Sequence, residues 1–167
     1  MRHEKFSSVG QVVDPLKAYA TSKRKIKRIY VHCSATKNDH DFGAHDIDDW
    51  HMQRWGKKSG CGYHYVVRLD GTVEKGRWSD NSGAQVAGDN ANTIGICYIG
   101  GYDKHHKLCY NCQTDKQREA MNQLLATLAR KYNLPISKVI GHNEHHGVNK
   151  ACPCLNMSKV RREVGDT

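Results

Sequence analysis

A twenty-residue run, TDKQREAMNQLLATLARKYN (Thr114 to Asn133), sets Met121, Leu124, Leu125 and Leu128 at helical intervals behind a Thr-Asp cap. A helix with one apolar stripe must bury that stripe against another layer. The other apolar runs are short and rich in β-branched residues, which is what a sheet would offer. RIYVHCSAT (Arg28 to Thr36) reads as a buried strand that turns polar at its end. NTIGICYIGG (Asn92 to Gly101) is a second buried strand closed by two glycines, and ISKVIGH (Ile136 to His142) is a last short one. GYHYVVRLDGTVEKGR (Gly62 to Arg77) gives two strands around Asp70-Gly71, a hairpin dipeptide.

HDIDDWHMQRW (His45 to Trp55) follows the turn-like NDHDFG and carries Ile47, Trp50 and Trp55 at helical spacing, a short amphipathic helix. Helical character returns weakly between Ser158 and Val164. Strands alternating with helices around one sheet predict a single α/β domain, with strand order left open. Residues 1 to about 25 show weak periodicity and then the basic run SKRKIKR (Ser22 to Arg28). They read as a flexible or loosely packed lead-in, so the chain divides into a basic lead-in (1–27) and a folded domain (28–167).

At 167 residues the chain has the length of one domain. It holds no run of about 18 apolar residues, so no membrane anchor is expected. The first residues lack the apolar core of a secretory signal, which predicts synthesis in the cytoplasm. The net charge of +9, histidines counted neutral, suits a polyanionic partner such as an anionic cell-wall polymer. No recognition helix or base-stacking motif accompanies it, so a nucleic-acid partner is not expected.

Seven cysteines cannot all pair within the chain, and a cytoplasmic origin favours thiols or metal ligands. Cys109 and Cys112 have metal-pair spacing without a second such pair, and free thiols are expected there ahead of a metal or a hairpin disulfide. Cys33 and Cys97 sit in strand runs and read as core.

His32 and His142 fall at the ends of two predicted strands, where a side chain is held stiffly at the sheet rim. Cys152 follows His142 in the loop GHNEHHGVNKACPC (Gly141 to Cys154). Two imidazoles and a thiolate suit zinc and leave a fourth position for water, the catalytic arrangement. Spacing alone does not choose His142 over His145 or His146, or Cys152 over Cys154. Asn90 and Asn92, in GDNANTIG, are candidates to line a saccharide or peptide cleft, although asparagine also serves turns for backbone reasons. His64 would point away from Tyr63 along a strand and is expected to pack, and His51 is expected to be structural.

VHCSAT, GYHYVVRLDGTVEKGR, NTIGICYIGG and GHNE…KACPC, in this order, resemble the bacteriophage-lysozyme type of N-acetylmuramoyl-L-alanine amidase, from about Arg28 to Leu155. The resemblance implies the fold shared with peptidoglycan recognition proteins, a central mixed β-sheet flanked by helices. It implies hydrolysis of the amide between N-acetylmuramic acid and L-alanine in bacterial peptidoglycan, using one catalytic zinc, by an endolysin or cell-wall hydrolase acting after release or export. It places the metal ligands on His32, His142 and Cys152, and the other catalytic roles on Tyr63 and Lys150.

Related folds also include non-catalytic muropeptide-binding modules, which typically lose the cysteine that this chain retains. Some phage members bind the phage RNA polymerase, a contact open to the basic lead-in. Two departures stand out. The connection between GHNE and KACP is lengthened by HHGVN, and Gln85 stands where relatives often carry a histidine facing the substrate cleft. Glutamine keeps hydrogen-bonding capacity but cannot titrate, so altered substrate contact is expected there.

Overall fold

Side chains two apart share one face of a strand, and in the longest strands of this chain both faces are buried, so helices must cover both. The computed structural model describes residues 9–18 and 22–166. Its strands are β1 (Val12–Val13), β2 (Arg28–Cys33), β3 (Thr36–Lys37), β4 (Tyr65–Val67), β5 (Val73–Lys75), β6 (Thr93–Tyr98), β7 (Gly101–Tyr102) and β8 (Val139–Gly141). Its α-helices are α1 (Ala44–Trp55), α2 (Asp115–Lys131) and α3 (Met157–Gly165). The main sheet runs β1-β5-β4-β6-β2-β8, and β3 and β7 form a small parallel pair. Strands β4, β6, β2 and β8 are parallel, while β5 returns antiparallel on β4 and β1 antiparallel on β5. The sheet is therefore mixed, as expected.

Ile29, Val31 and Cys33 point to one face with Ile94, Ile96, Tyr98, Tyr65 and Val67, and the apolar stripe of α2 closes over them together with α3. Val66, Cys97 and Ile99 point to the other face and pack with Ala44 and Ile47 of α1. Thr114 caps α2, accepting from Gln117 N at 3.0 Å while its hydroxyl donates to Leu69 O at 2.6 Å. Gln117 Nε2 donates to Ile99 O at 2.8 Å, so the start of α2 is tied to the sheet's main chain.

The expected loosely packed lead-in does not hold for residues 9–18. Val12 and Val13 pair with Glu74 and Val73 as an edge strand, and Ala18 is buried in the core. Main-chain pairing uses groups every residue possesses, so a two-residue strand leaves no side-chain period to read. The remainder of the early chain, residues 1–8 and 19–21, lies outside the described residues. Within the basic run, Arg24 turns inward and donates to the carbonyls of Ser79, Ala91 and Thr93. Among the described residues, no helix is long and apolar enough to cross a membrane.

Cys109 and Cys112 are joined by a disulfide, not left as the free thiols expected. The turn between them, with Asn111 in the left-handed region at φ 57°, brings their Cα atoms to 5.6 Å, within disulfide range.

Candidate metal centre and catalytic cleft

His32 is the fifth residue of β2, and Val31 is in register with Gly141 of the parallel neighbour β8. The next residue along each segment is a histidine, His32 still within β2 and His142 just past the end of β8, and the two rings lie 4.7 Å apart between centroids. Gly141 permits the tight exit from β8, because a Cβ there would stand 2.7 Å from Asn143 Oδ1 and 2.8 Å from Met157 Cγ. The lengthened connection then folds back on itself: Asn143 N donates to Cys152 O at 2.9 Å. Glu144 pins it from outside, bound to Arg161 at 2.8 and 2.9 Å and accepting from Gly141 N at 2.9 Å.

The result is a cluster of His32, His142 and Cys152 whose donor atoms all lie within 4.8 Å of one another. His145 is directed elsewhere, its Nδ1 lying 2.8 Å from the Tyr30 hydroxyl. Cys154 is buried beside Cys33, with 4.0 Å between the sulfurs.

This donor set fits a zinc ion. Two neutral imidazoles and a thiolate are the preferred mix for that metal, and they are close enough to share one ion. His32 is 1% exposed. Burial, above all, takes its pKa down to about 3, reinforced by His142 and Lys150, so the ring is neutral and has a lone pair to offer. Burial and Lys150 lower His142 as well. Cys152 is held toward its thiolate by hydrogen bonding from Cys33, whose main-chain N–H lies 3.4 Å from the sulfur.

A cavity of about 580 Å³ opens over this cluster. Tyr63 forms part of its wall, its ring 4.9 Å from that of His32. Burial raises the Tyr63 phenol well above its usual range, which keeps it protonated. Lys150 lines the same cavity from an exposed position. Gln85 and Asn90 also line it, but their polar atoms face inward: Gln85 Oε1 is 2.6 Å from His32 Nε2, and Asn90 Oδ1 accepts from Gln85 N and Val86 N. Asn92, expected in the cleft, is not among the lining residues. It lies at the entry to β6, where its carbonyl accepts from Lys27 N.

The opposite wall belongs to α1, through Trp50, His51, Arg54 and Trp55. His51 was expected to be structural, and it does accept from Gly62 N at 2.9 Å, but its ring also faces the cavity. Arg54 and Trp55 went unnoticed as cleft residues. The available signal was spacing, since Trp50 and Arg54, and His51 and Trp55, are pairs four apart on one helix. His64 lies outside the cleft lining and is buried, with Gly95 N donating to its Nδ1 at 3.0 Å and its Nε2 lying 2.8 Å from Asn81 O.

The family profile described as N-acetylmuramoyl-L-alanine amidase matches residues 22–154. The endolysin of Enterobacteria phage K11 is 35% identical over 144 residues, covering 86% of this chain and 90% of that protein. Among solved structures, the endolysin amidase LysCS of Clostridium intestinale superposes with a TM-score of 0.70 at 22% identity, over 96% of this chain and 91% of that one. The ectodomain complex of peptidoglycan recognition proteins LCa and LCx, bound to tracheal cytotoxin, superposes with a TM-score of 0.62 at 26% identity, over 79% and 78%. The rim cluster, the cleft above it and the sequence match along most of the chain lead to one assignment: this protein belongs to the N-acetylmuramoyl-L-alanine amidase family and is an amide hydrolase of that class.

Proposed function

We propose that this chain cleaves the amide between the lactyl group of N-acetylmuramic acid and L-alanine in peptidoglycan, with a zinc ion held by His32, His142 and Cys152. The convergence of those three donors beneath a cavity that also presents Tyr63 and Lys150 carries the reading. Bound zinc would supply Lewis-acid polarisation of the carbonyl and a water acidic enough to ionise near neutral pH.

The protein's own groups account for the rest. The cleft walls, Trp50 and Trp55 on one side and Val86 on the other, hold the glycopeptide so that the scissile carbonyl lies over the rim. Water adds to that carbonyl carbon, and the negative charge that develops on its oxygen is met by the Lys150 ammonium. The proton given up by the water passes to the amide nitrogen, the carbon–nitrogen bond breaks, and the nitrogen departs as the free amine of L-alanine, leaving a lactyl carboxylate. Tyr63, kept protonated by burial, donates a hydrogen bond to the reacting groups.

Incubation with purified peptidoglycan, with and without a chelator, tests this by mass analysis of the released fragments. Stem peptides with a free N-terminal alanine should appear, vanish with chelator and return when zinc is added back. Binding to peptidoglycan without any release, or release indifferent to chelation, would overturn the proposal.

A further inference from the structure

Gln85 reaches the rim cluster with both ends of its amide already engaged. Oε1 lies 2.6 Å from His32 Nε2, and Nε2 donates to Thr93 Oγ1 at 2.8 Å. Thr93 Oγ1 donates its one proton to the carbonyl of Asp89, also at 2.8 Å, so toward Gln85 it can only accept. That chain of donors settles which end of the amide meets His32. It is the oxygen, an acceptor only, so the His32 proton must sit on Nε2. The Nδ1 lone pair is left facing Cys152 Sγ, 3.8 Å away.

The main chain is locked in support. Asn90 Oδ1 accepts from Gln85 N at 2.9 Å and Val86 N at 3.0 Å. Space is reserved as well: a Cβ on Gly95 would stand 2.7 Å from Gln85 Cδ and 3.0 Å from Cγ, so any larger residue there would push the side chain off the sheet.

We propose that Gln85 is a positioning residue that acts through His32, fixing the tautomer and ring plane so that Nδ1 is the atom offered to the metal. This rests on the metal-centre reading above. It adds to the expectation that Gln85 contacts substrate a second task for the same side chain, whose oxygen meets His32 while its nitrogen donates to Thr93. A hydrogen bond to the second nitrogen of a metal-binding imidazole is a general device for orienting it, and its loss commonly weakens metal affinity by about 10–100-fold.

The test uses the full-length chain and two readouts. In the metal-free protein at pH 7, long-range proton–nitrogen correlation spectra of labelled histidine should show His32 as the single Nε2–H tautomer. Gln85→Leu should show a mixture, and Gln85→Glu, which still accepts from His32 once the Thr93 hydroxyl turns its proton from the Asp89 carbonyl to the second carboxylate oxygen, should retain the single form. Competition against a chromophoric chelator should show zinc binding weakened about 10–100-fold in Gln85→Leu and within a few-fold of wild type in Gln85→Glu. Gly95→Ala, which keeps the amide but takes its space, should reproduce the loss.

An unchanged tautomer and unchanged zinc affinity in Gln85→Leu would overturn the proposal, as would a weakening that Gln85→Glu fails to rescue. A wild-type chain that binds no zinc would instead overturn the metal-centre reading, while the tautomer spectra still report the Gln85–His32 bond.

Discussion

Lys150 and His64 show how differently a polar side chain behaves at the cleft and beneath it. Lys150 is exposed and lines the cavity, so its charge is kept in water until substrate arrives. Its replacement by alanine should leave zinc binding intact and lower kcat about 10²–10³-fold, the usual scale for losing an oxyanion partner. Steady-state rates near wild type, with zinc content confirmed, would remove Lys150 from the mechanism.

His64 is buried, and burial pushes its pKa from the ordinary 6.5 to about 3. The unfolded chain therefore takes up a proton near pH 6.5 while the folded one resists until about 3, so stability is fully present above 6.5 and drains as pH falls through that window. His51, taken to about 4 mainly by burial, adds in the same direction. Urea midpoints should fall between pH 7.5 and pH 5, and fall less in His64→Asn. A flat pH profile would contradict the assignment of His64 as a buried neutral ring.

At the level of elements, the N-terminus of α2 is the best-defined junction. Thr114 satisfies a helix N–H, donates to Leu69 O, and sits beside Gln117, whose amide donates to the sheet main chain. Thr114→Ala should cost about 1 kcal/mol and lower the melting temperature by about 2–4 °C. Amide hydrolysis should be unaltered, because the cap faces the opposite layer from the cleft; a loss of activity at unchanged stability would refute that separation. Much of this element was legible beforehand, because the Thr-Asp cap and the Met121–Leu128 stripe are local patterns. Helix α1 was equally legible as a helix, but its role as the cleft's far wall was not. Spacing tells which residues share a face, not what that face meets.

Taken whole, the molecule sets its chemistry on the margin of its core, with Cys152 packed against one apolar cluster and Tyr63 against the other. Both apolar clusters lie within the sandwich of sheet and helices, whereas the donor cluster sits at the rim where β2 and β8 end. Chelation should therefore abolish hydrolysis yet leave the far-UV circular dichroism unchanged, with only a modest drop in melting temperature from the lost ligand linkage. Collapse of the spectrum on chelation would show that the ion is structural. The longer strands and the helices, the Asp70-Gly71 hairpin and the placing of His32 at a strand end were legible in the sequence, because periodicity, caps and turn residues act over a few neighbours. Only the tertiary structure decided that β2 lies between β6 and β8 and that Val12–Val13 closes the sheet edge. The commitment of Gln85 to His32 was decided there too. Strand order and the sheet edge depend on main-chain pairing between distant segments, which leaves little mark in the order of side chains, and the Gln85–His32 bond joins side chains 53 positions apart that only this pairing brings together.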